Sequence, residues 1–431
     1  MEIIEIFSYS KNVFNRENCI FVIKGNLNLN NDIISLKKNC ILKFENGSIC
    51  NGSIIGFSTY VDANPYYQIF NDVEIIGTWS NSEAYAEWFG AIGDGNTDDS
   101  ASLNYAFTSC FIKIHLFNKK YVIGSSSQLY SNVGVCIKNC KIIEGEVVNE
   151  QGTAIIASRL VNLNILCGIY DNGISIINVR FEGSGNIENI LSTQVSSDDY
   201  TFRKCIKLIN VRAFTCSNVC IRLVTFLTTL DSVSAGISNV GISISGNEKT
   251  QIRGTATLLK QCYVYCTKKT AYEIRLMTYS KLQLCSSDYN NSTLSQKDEF
   301  NINNGYAYDI WGSDTISIDT CACEMSFNSI SINLCQTISI NNFSDWSSID
   351  KTSKSHLTEK QISLRNINGI KVENCFMGTK FDGDKVLPTM TIKDSNNVII
   401  KNCLMRKNDG HMTDEFLSPK NCMINNSKVE F

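Results

Sequence analysis

Along the C-terminal third of the chain, hydrophobic and polar residues alternate in short bursts. Ile362-x-Leu364 is followed by Ile370-x-Val372-x-Asn374-Cys375, and a shift of 28 residues lands on Met390-x-Ile392 and Val398-x-Ile400-x-Asn402-Cys403. Moving the first segment back by 32 residues gives Ile330-x-Ile332, Ile338-x-Ile340 and Asn342-Phe343; a further 22 gives Tyr308-x-Ile310, Ile316-x-Ile318 and Thr320-Cys321; another 36 reaches Tyr272-x-Ile274 and Cys285. Alternation with period two is the signature of a strand that buries one face. Each unit holds two such strands, a polar turn such as Asp394-Ser395-Asn396-Asn397, and a small or apolar residue at one fixed place. Strands this short cannot bury a face alone, so the units must stack. Ile174-x-Ile176, Ile206-x-Leu208 and Leu258 to Cys266 repeat the pattern more loosely. Leucine-rich repeats need a more regular Leu and Asn consensus, so the pattern predicts an all-β parallel β-helix. Residues 290–305 and 347–359 are expected to project from it as loops, where function tends to concentrate.

One segment departs from the alternation. Thr97-Asp98-Asp99-Ser100 offers helix N-cap residues, and Leu103, Ala106, Phe107, Cys110 and Phe111 follow at helical spacing. A short amphipathic helix near 99–111 is expected, suited to covering the open end of a solenoid. Gly93-Asp94-Gly95 just before it supplies a turn.

Composition narrows the function classes. The 39 Lys and Arg nearly balance 42 Asp and Glu, for a net charge of -3, which removes the electrostatic warrant for binding nucleic acid or an anionic membrane surface. No apolar stretch is long enough to span a membrane, and the N-terminal residues carry neither the basic region nor the apolar run of a secretory signal, so a protein made in the bacterial cytoplasm and not exported by the Sec route is expected. The 48 Asn and 26 Gly against 3 Pro suit many tight turns. Nineteen Cys in such a chain are expected as reduced, buried thiols. Cys136/Cys140, Cys216/Cys220 and Cys262/Cys266 recur at a spacing of four, but this is not a zinc-ligand pattern, and neither metal nor cofactor is expected. His115, His356 and His411 have no partner motif.

Trp88-Phe89-Gly90-Ala91-Ile92-Gly93-Asp94-Gly95-Asn96-Thr97-Asp98-Asp99-Ser100 resembles the opening motif of the pectate-lyase-like superfamily of right-handed parallel β-helices, which many bacteriophage tailspikes share. Where that family commonly has Pro and Gly before the next aromatic, this chain has Phe117-Asn118-Lys119-Lys120 before Tyr121. Cys40 to Ile49 through Gly77-Thr78-Trp79 resembles the β-rich region preceding the motif in proteins of gut Bacteroidetes and their phages. Ala271-Tyr272, Tyr279 to Asp288, Ala307 to Ile310 and Cys321 to Glu324 resemble tailspike coils. The resemblance implies a β-rich region over 1–80, the opening motif and capping helix over 81–125, and a right-handed β-helix over 126–431. It also implies a homotrimer mounted on a virion tail, with other tail proteins as partners, that binds and often cleaves a bacterial surface polysaccharide. A binding-only adhesin and a structural tail component are the alternatives. The polygalacturonase signatures are missing, since Asn96-Thr97-Asp98 lies in the cap motif and no Gly-His-Gly occurs.

The aligned repeats single out candidate chemistry. Three residues after the shared inward position stand Asp288, Glu324, Trp346, Gly378 and Arg406. Continued alternation turns this column outward. Adjacent rungs are about 4.8 Å apart, within reach of the carboxyl separations used in glycoside hydrolysis. Asp288 and Glu324 are therefore the expected catalytic pair of a depolymerase, either hydrolase or lyase. Trp346 and Arg406 are expected to bind substrate, with Tyr289 and Asp309 as further contacts. An ordinary solvated face is the competing explanation, and the same alternation turns Asp345 inward.

Overall fold

The computed structural model describes all residues except 125–135, 138–140, 148–151, 158–164, 168–172, 194–204, 289–305, 325, 327, 346–361, 378–380, 383–384, 387–389, 407–414, 418–419, 426–427 and 431. The chain forms two compact units, Met1–Glu182 and Gly183–Phe431.

The second unit contains the repeats. Strands Met277–Gln283, Asp314–Asp319, Gln336–Asn341, Asn368–Glu373 and Asn396–Lys401 pair successively in parallel. Their register places Leu259, Leu282, Ile318, Ile340, Val372 and Ile400 opposite one another from rung to rung. All six are fully buried. Alternation in the sequence thus becomes an aliphatic stack that each coil extends. A second ladder is built from short strands, among them Ser286–Asp288, Ala322–Glu324 and Ser344–Asp345. A third runs through the end of Tyr263–Arg275 into Tyr306–Trp311, Asn328–Asn333, Ile362–Arg365 and Met390–Lys393. Each coil therefore contributes three strands.

The corner between the first two ladders explains the Asn and Cys usage. Leu284, Thr320, Asn342, Asn374 and Asn402 all adopt left-handed backbone with φ of 51–54°, a region in which Asn is the cheapest residue after Gly. The turn points each backbone N–H at the next coil: Asn342 N donates to Glu373 O at 3.1 Å and Asn374 N to Lys401 O at 3.0 Å. Asn side chains extend the ladder, with Asn402 Nδ2 donating to Asn374 Oδ1 and Asn374 Nδ2 to Asn341 Oδ1. The following residue points inward. Cys285, Cys321, Cys375 and Cys403 occupy that place, each at most 2% exposed, and each thiol faces a carbonyl of the preceding coil. Each of the fifteen cysteines whose side chain is described is a free thiol. Tyr272 and Tyr308 stack inside at 4.9 Å and 7°, their hydroxyls satisfied by backbone carbonyls.

In the first unit, seven strands between Glu2 and Trp79 also pair in parallel. The helix spans Ser100–Thr108 and buries Leu103, Ala106 and Phe107. Asp98 Oδ1 accepts from the N–H and hydroxyl of Ser100, and Asp94 accepts from the N–H groups of Asn96 and Thr97. Asp99 is 1% exposed and receives the N–H groups of Ile92, Gly93 and Val122. All three carboxylates thus hold backbone N–H groups, although Asp99, the N-cap residue, makes no side-chain bond to the helix itself. Past the other end, the buried Lys141 ammonium donates to the carbonyls of Ser109 and Phe111 in the segment that follows the helix.

Ile340 is 0% exposed between two aliphatic neighbours in the stack. Ile340→Ala is expected to destabilise the protein by about 2–5 kcal/mol, read as an earlier unfolding midpoint in denaturant. Burial also pushes the Cys335 thiol up to about 11, and the thiolate is the reactive form. Iodoacetamide at about pH 8 should leave Cys335 unmodified until denaturant is added, as peptide mass mapping would record.

Candidate functional site

Asp288 and Glu324 each end a short strand, and those strands pair with Ser286 opposite Ala322, Ser287 opposite Cys323 and Asp288 opposite Glu324. Ser287 and Cys323 are fully buried, which turns their neighbours outward; Asp288 is half-buried and Glu324 exposed. The two carboxylates therefore stand on successive rungs of one face. Asp345 follows Cys323 in the ladder and is fully buried, with the Ser329 hydroxyl donating to its carboxylate. Inward alternation accounts for it, so Asp345 belongs to the interior.

The same outward column continues on the other side of Asp288, where an aromatic surface lies. Phe214, Gly236, Tyr265, Asp288 and Glu324 are consecutive register partners. Gly236 leaves a gap across which the rings of Phe214 and Tyr265 approach to 5.3 Å. A Cβ at Gly236 would stand 2.1 Å from the Tyr265 carbonyl oxygen. Two residues before Tyr265 on the same strand, Tyr263 stacks on it at 5.7 Å and 23°. The Tyr263 hydroxyl donates to Asp288 Oδ2 at 2.8 Å. Burial, reinforced by this bond and by the charge of Asp288, pushes the Tyr263 phenol well up, so it stays protonated and remains a donor. Aromatic rings with polar tips beside two carboxylates can hold a sugar by its C–H face while acids contact its oxygens.

The remaining expected contacts are distributed differently. Trp346 and Tyr289 lie outside the described residues, as does the side chain of Arg406, whose strand Leu404–Arg406 extends the short-strand ladder. Asp309 sits on the Tyr306–Trp311 strand, in a different ladder from Asp288 and Glu324. There it opposes Glu273, and Arg275 Nη2 reaches both, at 2.7 Å from Glu273 Oε1 and 3.0 Å from Asp309 Oδ2. Ser243 Oγ donates to Glu273 Oε2 at 2.7 Å. Burial pushes the Asp309 carboxyl up, with the charge of Glu273 adding to it and Arg275 opposing it. Glu273 and Arg275 were not singled out by the repeat alignment. Among the described residues no cluster of His, Cys, Asp and Glu could hold a metal ion.

No protein-family profile and no curated protein sequence matches the chain. Solved structures do. Full-length tailspike protein 2 from an Escherichia coli O157:H7 bacteriophage superimposes with a TM-score of 0.50 at 14% identity, covering 75% of this chain and 42% of the spike. The enzymatically active domain of bacteriophage CBA120 tailspike protein 2 gives a TM-score of 0.50 at 15% identity, covering 74% of this chain and 47% of that domain. The chain thus spans less than half the length of either. Together with the parallel coils and the inward corner residues, the superposition identifies the fold as a right-handed parallel β-helix, the fold of these phage tailspikes.

Proposed function

We propose that this protein binds and cleaves a bacterial surface polysaccharide on the face of the second unit that carries Phe214, Tyr265, Asp288 and Glu324. The observation that carries this reading is the column itself, in which an aromatic surface leads along the rungs into two carboxylates. Sugar rings stack on Phe214, Tyr265 and Tyr263, and the chain of sugars runs parallel to the coil axis. That direction brings one glycosidic bond to Asp288 and Glu324. The two carboxyl groups can then act across it, one donating a proton to the leaving oxygen and the other serving as base or nucleophile. Tyr263 holds the Asp288 carboxylate in place through its 2.8 Å hydrogen bond. The likeness to an enzymatically active tailspike domain supports the reading. Binding without cleavage is the second reading, favoured by the solvent exposure of Glu324.

The same proposal places the protein on a virion tail as a homotrimer. Tyr279, Leu284 and Leu334 are 69%, 46% and 49% exposed on the second unit, and burying such side chains between copies stabilises a closed symmetric assembly.

Incubation with host capsule should release new reducing ends if the bond is hydrolysed, or an ultraviolet-absorbing unsaturated product if it is eliminated. Asp288→Asn and Glu324→Gln should each lower turnover by about 10²-fold or more, with thermal stability unchanged; full turnover in both would refute the pair. Tyr265→Ala should weaken oligosaccharide binding by about tenfold in calorimetry, and unaltered affinity would remove the aromatic surface from the site. Light scattering at micromolar protein should return the mass of a trimer, against which a monomer would count.

A further inference from the structure

The spacing of four between Cys216 and Cys220 has no part in the outward column or in the aliphatic stack, yet the fold brings the two sulfurs together. Cys216 Sγ lies 3.6 Å from Cys220 Sγ, and the residues are 5% and 0% exposed. Cys262, four residues before Cys266, instead turns its thiol to the carbonyls of Leu230 and Lys260.

The corner between strands Arg212–Phe214 and Val219–Val224 makes the contact. Thr215 takes left-handed backbone there, with φ of 73°, a conformation that a β-branched residue rarely adopts. Both sides of the corner are clamped. The N–H groups of Thr215 and Cys216 donate to Gly236 and Ile237 on the following coil, each at 3.1 Å, and those of Ser217, Asn218 and Val219 donate to Ile187 and Glu188 on the preceding one. The Ser217 hydroxyl adds a bond to the Ile187 carbonyl at 3.0 Å. A backbone held in this way keeps the sulfurs opposed without the ordering cost that a flexible loop would meet.

The surroundings also distinguish the two thiols. In its protonated form Cys220 donates to the Gly236 carbonyl at 3.1 Å, and its sulfur accepts the Cys216 S–H. Burial pushes the Cys220 thiol up, but the hydrogen bonds its sulfur accepts, that of Cys216 foremost, outweigh burial and hold it below the ordinary thiol value. The same bond, with burial added, pushes Cys216 up, so Cys216 keeps its proton. A lowered thiol beside a protonated partner is the arrangement in which one sulfur attacks and the other resolves.

We propose that Cys216 and Cys220 are a redox modification site, converted by a peroxide into a disulfide that closes this corner. Cys216 carries the small exposure the pair retains, and a peroxide little larger than water suits so narrow an opening. The Cys220 thiolate attacks one peroxide oxygen and the O–O bond breaks; the departing hydroxide takes up the proton Cys220 released and leaves as water. Cys216 then attacks the sulfur of the Cys220 sulfenic acid, the S–O bond breaks, and that oxygen leaves with the Cys216 proton as a second water. The two sulfurs are oxidised by two electrons in all and the peroxide is reduced by two. Neither Asp288 nor Glu324 takes part, so the site stands apart from glycan cleavage.

Trypsin cutting after Arg212 and Arg222 releases one peptide, Ala213 to Arg222, that contains both cysteines and no other. The test treats the folded, full chain with hydrogen peroxide, quenches it in acid, alkylates it in denaturant and maps it by mass spectrometry. That peptide is expected unalkylated and lighter by two hydrogens, and alkylated twice when dithiothreitol precedes alkylation. The urea midpoint should rise on oxidation by a shift that Cys216→Ser lacks, because the closed corner restricts the unfolded chain. Cys216→Ser should stop at a Cys220 sulfenic acid, captured by dimedone. Should that variant not fold, the mapping of the unaltered chain still decides. A peptide alkylated twice after peroxide, a higher oxide on one of its cysteines alone, disulfides joining it to other peptides, or no dimedone adduct on Cys220 in a folded Cys216→Ser variant overturns the proposal.

Discussion

The parallel hydrogen-bond register between successive coils is the constraint on which everything else in the second unit depends. Each rung must pass its N–H groups to the next, and the corner can do so only if one residue adopts left-handed backbone. That requirement favours Asn at the corner, where Leu284 and Thr320 also stand, turns the following Cys or Phe inward, and fixes which face the residues after it take. Leu259 to Ile400 form an unbroken aliphatic stack for the same reason. A one-residue slip would bury Asp288 and Glu324 and expose the stack.

Chemistry is laid over this frame as columns. Because register is inherited from coil to coil, a side chain's neighbours along the axis are set by the corner positions, and two carboxylates, a glycine gap and an aromatic pair can line up although widely spaced in sequence. On the proposed reading a polymer of sugars lies along such a column, since its repeating rings and the repeating rungs both run in one direction. The Glu273–Arg275–Asp309 network illustrates the opposite use of the same geometry: charges on adjacent rungs neutralise one another and tie two coils together.

Alternation and the fixed corner were legible in the sequence because they are local, repeated many times, and punctuated by Asn-Cys or Thr-Cys. The outward placement of Asp288 and Glu324 and the inward placement of Asp345 followed from counting three, three and two residues from Cys285, Cys321 and Phe343. Phe214 and Tyr265 were not legible, because their contact depends on a glycine in the intervening rung and on the 13-residue strand Tyr263–Arg275, where the usual break between ladders is missing. The closure of Asp309 by Arg275 depends on the reach of a long side chain across rungs, which spacing does not encode. The contact of Cys216 with Cys220 depends on the corner at Thr215, which a spacing of four does not encode.

The most direct test of the account is a crystal structure of the Glu324→Gln variant soaked with a capsule oligosaccharide. The account predicts a sugar ring lying flat on Tyr265 within about 4 Å, with the next glycosidic oxygen between Asp288 and residue 324. An oligosaccharide bound elsewhere on the second unit, with the Tyr265 face still open to water, would contradict it.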